Sequence, residues 1–363
     1  MTSPVGWKST TLSQFVDLQR GFDLPSHKRV PGRYKVISSG KSSGSHNEGP
    51  VKGPGFAIGR ATNLGRPTWS DDDYWPLNTV LFVKSFRDND PKFAYYIFEN
   101  LDLSGYNSGS VQPMLNRNHI ANVEIQIPDV PKQREIAATL SALDNRIGSN
   151  RRIVELVPRL VAAHVAKSLS RDSESIPITR LAQFVNGGAY TKGASGAGRM
   201  VLRIAELNSG PGNSTVYNDI EVPDEKTARA GDLLMSWSGT LGVYRWFRHE
   251  AIINQHIFKV IPTGFPGWLV FDRLEAAMPV FRGIAKDKAT TMGHIQRGHL
   301  ESTTVSIPLP EEIERLDAAL GPLWERLLLT ERENVKLAAL RDALLPLLLS
   351  GRIHVPEAEE VLA

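Results

Sequence analysis

Residues 116–147, NRNHIANVEIQIPDVPKQREIAATLSALDNRI, recur in altered form as residues 296–327, QRGHLESTTVSIPLPEEIERLDAALGPLWERL. At an offset of 180 residues, Asn116 to Ile120 lies over Gln296 to Leu300, and Ile125, Ile127 and Pro128 lie over Val305, Ile307 and Pro308. Ile136, Leu140, Leu143 and Ile147 then match Leu316, Leu320, Leu323 and Leu327, and the polar Asn150 matches Thr330. Chance likeness between amphipathic segments does not keep register through a strand-like run, a proline and a helix, so an internal repeat organises the chain. The copies also begin alike, LSQFVDLQRGF from Leu12 and LAQFVNGGAY from Leu181, at an offset of 169; between their starts and ends they diverge.

Each copy reads as a globular part followed by a helical part, with boundaries near Pro128 and Pro308. The globular parts are rich in Gly and Pro and carry short strand-like runs, Thr79 to Val83 and Glu250 to Val260, with brief helical patterns such as Phe93 to Glu99. Each is expected to be a mixed α/β or mostly β domain with long loops. The helical parts show heptad spacing, through Ile136, Leu140, Leu143, Ile147, Val154, Val157 and Val161, and through Ile313, Leu316, Leu320, Leu323, Leu327, Leu337, Leu344 and Leu348. Residues 129–171 carry eight Lys/Arg against four Asp/Glu, and residues 309–355 six against eight, so the two seams can pair. Pro158, Pro322 and Pro346 lie inside them, where a lost hydrogen bond and a ring clash predict kinks or breaks.

Composition narrows the function. The 363 residues suffice for two domains with their own cores. No apolar run approaches the ~20 residues of a membrane span, and MTSPVGWKSTTLSQF lacks the pattern of a secretory signal, so a cytoplasmic location is expected. There is no cysteine, which excludes disulfides, thiolate nucleophiles and cysteine-held zinc. A pI near 9.0 with a net charge of +3 points weakly to a polyanionic partner.

Catalytic motifs are missing. A methyltransferase needs a Gly-rich cofactor loop and an N/D-P-P-aromatic motif, and neither is present. Pro223-Asp224-Glu225-Lys226 has the letters of a nuclease centre without its spacing, no phosphate loop occurs, and the histidines form no H-E-x-x-H pair. The run Asp71-Asp72-Asp73 reads as a solvated loop, and Ser236-Trp237-Ser238-Gly239 lacks the flanking glycine of a nucleophile elbow.

Taken together, SGSVQPMLNRNHIANVEIQIPDVPKQREIAATLSALDNRI from Ser108, LAALRDALLPLLLSG followed by RIHV, ARAGDLLMSWSGTLG, GFAIGRATNLG and DYWPLNTVLFV resemble the specificity subunits of type I restriction–modification systems. Two departures stand out: Glu312 at the second junction in place of the Gln kept as Gln133, and LLPLLLS without a basic residue after its proline. The resemblance implies an α+β fold with an internal pseudo-twofold repeat, in which two α/β-to-mostly-β target-recognition domains are separated by long antiparallel coiled-coil helices. The corresponding segments are residues 1–128 and 172–308 for recognition, 129–171 and 309–355 for the helices, and 356–363 as a tail. It further implies a non-catalytic chain that reads a bipartite target in double-stranded DNA. Two modification subunits would carry S-adenosylmethionine and methylate adenine, separate motor subunits would restrict, and no cofactor would be bound by this chain.

DNA reading needs cations for phosphates and bidentate donors for base edges, on loops that can enter a groove. In the first copy these are Lys41, Ser43, His46, Arg60, Asn63, Arg66, Lys84, Arg87, Gln112 and Arg117; in the second, Lys192, Arg199, Ser236, Ser238, Thr240, Asn254, Gln255, His256, Lys288, Thr291, His294 and Arg297. Arg60 and Arg66 flank a glycine turn suited to guanine, and Asn254-Gln255-His256 suits adenine. Arg117/Arg297 and His119/His299 recur between copies that should read different sequences, which favours structural or phosphate roles. The competing reading is a coiled-coil scaffold whose end domains bind protein, which a salt titration against nonspecific duplex would separate.

Overall fold

The computed structural model describes residues 6–39, 41–108, 114–287 and 294–362. In chain order the elements are β1 (Trp7–Thr11), α1 (Leu12–Phe15), β2 (Asp17–Arg20), β3 (Tyr34–Ser38), β4 (Lys41–His46), β5 (Gly55–Gly59), β6 (Pro67–Ser70), β7 (Tyr74–Pro76), β8 (Val80–Ser85), α2 (Pro91–Asn100), β9 (Asn107–Ser108), β10 (Met114–Leu115), α3 (Arg117–Ile120), β11 (Glu124–Pro128) and α4 (Val130–Leu169). The second copy follows as β12 (Glu174–Pro177), α5 (Ile178–Leu181), β13 (Ala182–Asn186), β14 (Arg199–Leu202), α6 (Ile204–Ser209), β15 (Tyr217–Asn218), β16 (Thr227–Ala228), β17 (Leu233–Ser236), β18 (Gly242–Arg245), β19 (Ala251–Ile253), β20 (Ile257–Pro262), α7 (Gly267–Asp287), α8 (Arg297–Ser302), β21 (Thr304–Ile307) and α9 (Pro310–Leu349), with α10 (Val355–Leu362) last. Two compact units result, one of residues 1–146 with 337–363 and the other of residues 147–336. The helices expected as separate spacers are therefore shared out between the units.

The first unit is built on an antiparallel sheet in the order β2-β8-β5-β6, with a second sheet β4-β3-β7 in which β3 and β7 run parallel. Phe56, Ile58, Leu81 and Val83 from the first sheet meet Phe93, Ala94, Ile97 and Phe98 of α2 in one buried cluster. Each buried aromatic or aliphatic side chain here contributes about 1.5–3 kcal/mol. Asp90 starts α2 by accepting from Lys92 N (2.9 Å) and Phe93 N (2.8 Å), with Pro91 in the first turn where its missing N–H costs nothing. The same cluster takes in Ile136, Leu140 and Leu143 from early α4 and Leu344, Leu345, Leu348 and Leu349 from late α9. The expected tail is instead α10, whose Val355 and Ala358 are buried in that core because they fall on one helical face.

The second unit repeats the plan, with sheet β13-β20-β17-β18 and a sheet β15-β14-β19-β16 in which β14 and β19 run parallel. Its helical stretches are late α4 and early α9, where Val161 and Val165 share a cluster with Leu316 and Leu320 and with Trp268 and Leu269 of α7. The expected single strand-like run from Glu250 divides into β19 and β20 around Asn254-Gln255-His256. Helix α7 was hidden by its Gly-Pro-rich approach, although Val270, Leu274, Met278 and Phe281 are buried at helical spacing.

Three expectations are corrected. Both long helices run 40 residues without a break at their prolines; Pro158 is half-buried and Pro322 and Pro346 are exposed, and burial of the flanking Val157, Val161 and Val165 and of Leu344, Leu345, Leu348 and Leu349 offsets the lost backbone bonds. At the start of the copies the matching letters mislead: Leu12–Phe15 is helix α1, whereas Leu181 ends helix α5 and Ala182 opens a strand. The structural offset there is 166, which pairs Leu12 N→Val123 O (3.0 Å) with Ile178 N→Thr303 O (3.0 Å), and Gly21 with Gly187. Both glycines are required, since a Cβ at Gly21 would strike Leu77 O and one at Gly187 would strike Asn254 O. Finally, the repeat places Ile313, not Glu312, over Gln133. Buried Gln133 donates from Nε2 to Asn89 Oδ1 (2.9 Å) and Pro128 O (3.1 Å) and accepts from Asp90 N (3.0 Å), while Glu312 turns to Arg315 (2.6 Å).

Candidate nucleic-acid interface

In the first domain the turn after β5 is pinned by Arg60 N→Thr79 O (3.0 Å) and Leu115 N→Arg60 O (2.8 Å); in the second, the turn after β17 is pinned by Trp237 N→His256 O (3.2 Å) and Ile295 N→Trp237 O (3.0 Å). Below it, Leu77 N→Ile37 O (2.9 Å) and Val80 N→Leu77 O (3.0 Å) have their counterparts in Asn254 N→Leu202 O (3.1 Å) and Ile257 N→Asn254 O (3.1 Å). These main-chain bonds equate Arg60 with Trp237, Leu77, Asn78 and Thr79 with Asn254, Gln255 and His256, and Met114 with His294. One backbone frame therefore carries two unlike sets of side chains.

In the first domain Arg60 is half-buried and donates from Nη1 to Asn78 O (3.1 Å) and from Nε to Leu115 O (3.3 Å). Burial, with nearby Arg20, pulls its pKa below the usual arginine value. Ser39 Oγ accepts from Thr62 N (3.1 Å) and Ala61 N (3.3 Å) and donates to Thr62 O (2.5 Å), closing the turn from the other side. What this end exposes is Arg20, Thr62, Asn63 and Arg66. Asn63 holds φ +50, which an asparagine tolerates, and Arg66 reaches Glu99 O (3.3 Å).

The second domain presents an aromatic group instead. The half-buried ring of Trp237 lies 5.4 Å from His256, 5.9 Å from Phe258 and 6.4 Å from His294, and its Nε1 donates to Asn186 Oδ1 (2.9 Å). Gln255 is exposed beside them, its Nε2 3.2 Å from His256 Nε2. Asn254 Oδ1 and His256 Nδ1 are buried without a hydrogen-bond partner among the described residues, a cost that a ligand or water would relieve. Such a group can stack on a base or sugar and offer donors and acceptors to a base edge.

The domain that carries the first of these frames, with most of α4, is what a family model recognises: residues 4–159 match the type I restriction modification DNA specificity domain. That stretch carries the type I restriction–modification DNA specificity domain. The chain is similar to the type I restriction enzyme MjaIX specificity subunit of Methanocaldococcus jannaschii, 20% identical over an alignment of 325 positions that covers 77% of this chain and 74% of the relative. Its fold is that of the type I restriction–modification S subunit from M. genitalium, with a TM-score of 0.68 and 17% identity over 96% of this chain and 97% of the other.

Within the two domains the residues expected from sequence divide by what they touch. His46 is buried, edge-on to Trp75 at 5.1 Å, with Nδ1 accepting from Val30 N (3.0 Å). Ser43 O accepts from Arg29 (2.9 Å). Buried Ser236 donates to Thr240 O (2.6 Å) and accepts from Gly242 N (2.9 Å), so it shapes the Trp237 turn. Ser238 is buried in a bridge to His294. Arg199 is paired with Glu250 (2.7 Å). These side chains are spent within the fold, because hydroxyls, imidazoles and guanidiniums near glycine turns are also what closes such turns. Lys84, Thr240 and Lys192 are exposed, as is Arg297, 3.9 Å from Glu301. Arg87 and Arg117 are exposed and donate to Ser13 O (3.0 Å) and Leu18 O (3.0 Å). Lys41 lies in β4, its side chain outside the description; Gln112, Lys288 and Thr291 lie outside the described residues. Sequence reading missed Trp237, Asn186 and Arg20. A lone tryptophan in an apolar run reads as core, and only its place beside an exposed His and Gln marks it otherwise.

Among the described residues no group of three or more acidic or histidine side chains could hold a metal, and no helix is long and apolar enough to cross a membrane. Asp73 of the acidic run is tied to Lys52 (2.8 Å) and Gly53 N (3.0 Å), which holds its carboxyl below the usual range.

Proposed function

We propose that each domain reads one half of a split double-stranded DNA target through the loop end that exposes Arg20, Asn63 and Arg66 in one copy and carries Trp237, Gln255 and His256 in the other. The observation that carries this reading is the shared main-chain frame with exchanged side chains. A scaffold that bound one protein surface twice would keep the side chains as well. The chain itself performs no chemistry. It acts in the cytoplasm with two modification subunits that hold S-adenosylmethionine and methylate adenine, and with motor subunits that restrict. A docking face for such partners is offered by Ile153, Leu156 and Leu160 on α4, which are 38%, 58% and 42% exposed at helical spacing.

The test exchanges residues 12–127 for those of a relative and maps methylated adenines across the genome of cells carrying the hybrid. One half of the methylated sequence should change while the other persists. A change in both halves would refute independent reading. The purified chain alone should neither methylate nor cleave; methyl transfer that tracks its purity would refute the non-catalytic role.

A further inference from the structure

We propose that Arg87 and Arg117 together form a seat for one DNA backbone phosphate on the first domain, a site that rests on the DNA-reading role above and adds a fixed anchor to it. The loop from β8 to α2 turns through Arg87 at φ +53, one of two left-handed residues other than glycine among the described residues. That conformation strains an L-residue and suits glycine. The corresponding loop from β20 to α7 also turns through one left-handed residue, Gly264 at φ +82. The backbone thus asks for glycine in both domains, and the first places an arginine there.

What the arginine gains is position. Its Nη2 donates to Ser13 O (3.0 Å), and Arg117, from α3, donates Nη1 to Leu18 O (3.0 Å). Each guanidinium carries five N–H donors, so one bond apiece fixes its place and leaves the others for a ligand. Both arginines line the same cleft of about 290 Å³, with Ser13, Asp17, Leu18 and Asn118. Two guanidiniums against the single carboxylate of Asp17 leave one net positive charge, which matches a phosphodiester. The forked donors fit its paired oxygens. A base-reading role fits less well, because the donors are set by main-chain carbonyls and Arg117 recurs as Arg297. In the second domain the seat is incomplete: Gly264 has no side chain, and Arg297 lies 3.9 Å from Glu301.

The experiment uses the full chain and a nonspecific duplex of about two helical turns, measuring affinity across a salt series for the wild type, R87G, R117A and the double variant. R87G should bind several-fold more weakly at moderate salt and lower the slope of log affinity on log salt by about 0.9, the value for one phosphate. Its melting temperature should be equal or higher, since glycine relieves the turn; a merely structural arginine would lower it. R117A should give the same loss of slope, and the double variant no more than one phosphate's worth. Should R87G fail to fold, R87N, which tolerates the left-handed turn, takes its place. A wild-type slope in R87G or R87N overturns the seat while leaving DNA reading intact. A wild-type chain with no salt-dependent binding overturns both.

Discussion

The two loop ends differ in how they spend the residue at the head of the turn. Arg60 is consumed by two carbonyls and stiffens its own loop, whereas Trp237 is held by its edge through Asn186 and keeps part of its ring free. Position in this frame is fixed by main-chain bonds, so the side chain can serve as either a brace or a probe. The same contrast appears where each domain meets its helices. In the second unit Arg245 is buried, donates to Glu331 (2.5 Å) and Trp324 O (2.6 Å), and stacks on the Trp324 ring at 4.4 Å. In the first, Arg341 is more open, 2.9 Å from Glu99 and 3.9 Å from Asp144, which also accepts from Tyr96 (2.8 Å).

The largest effect should come from breaking the buried side of this contrast. E331A leaves Arg245 charged and enclosed and should cost about 3–5 kcal/mol in denaturant unfolding, whereas E99A leaves Arg341 the carboxylates of Asp144 and Asp342 and should cost about 1 kcal/mol or less. Equal losses would mean that the two junctions do not differ. Next, Q133A strands the Asn89, Asp90 and Pro128 groups that Gln133 satisfies and should cost about 2 kcal/mol, while I313Q, which puts the first copy's residue into the second, should destabilise as well, since no such set of partners was built there. A stabilised I313Q would contradict this.

The third prediction sharpens the brace-and-probe distinction. W237A should loosen base preference in one half of the target by roughly tenfold, in line with ~1–3 kcal/mol per base contact, with little change in melting temperature. R60A should lower the melting temperature and leave base preference in its half largely intact. Sequencing of methylated sites, with a thermal melt of each variant, would show the reverse if the roles are exchanged. The smallest effect concerns Glu312, whose pKa the Arg315 guanidinium, outweighing a small burial cost, draws from 4.5 to about 2. A depressed carboxylate pKa stabilises the fold above the unfolded value and ceases to as pH falls through the folded one. The stability gap between wild type and E312Q should therefore be constant at neutral pH and close between pH 4.5 and about 2; a gap that widened in acid would reverse the assignment.

The repeat at 180 residues was legible because buried Ile and Leu at helical spacing, and the Ile-x-Ile-Pro of β11 and the Val-x-Ile-Pro that closes β21, must serve the same packing in both copies. The middles were not, because their correspondence is carried by peptide groups. Arg60 and Trp237 share two hydrogen bonds and no chemistry, and their offset of 177 leaves no trace in the letters. At the start the letters were worse than silent, matching LSQF to LAQF across a helix–strand boundary. Of the expected readers, Gln255 and Arg87 are exposed, while His46, Ser236 and Arg199 are bonded within the fold, since side chains that hold loops are the same kinds that read DNA.

One unit is continuous in the chain, residues 147–336, and the other is not, since residues 1–146 are completed by 337–363. A ribosome therefore delivers everything the second unit needs before it delivers the closing helix of the first. Leu12, Phe93 and Leu140 must wait, part of their apolar neighbourhood unmade, until Leu344, Leu348 and Val355 emerge. The usual order, in which the N-terminal domain matures first during synthesis, is inverted here, and truncation of the last turns should harm the beginning of the protein more than its middle.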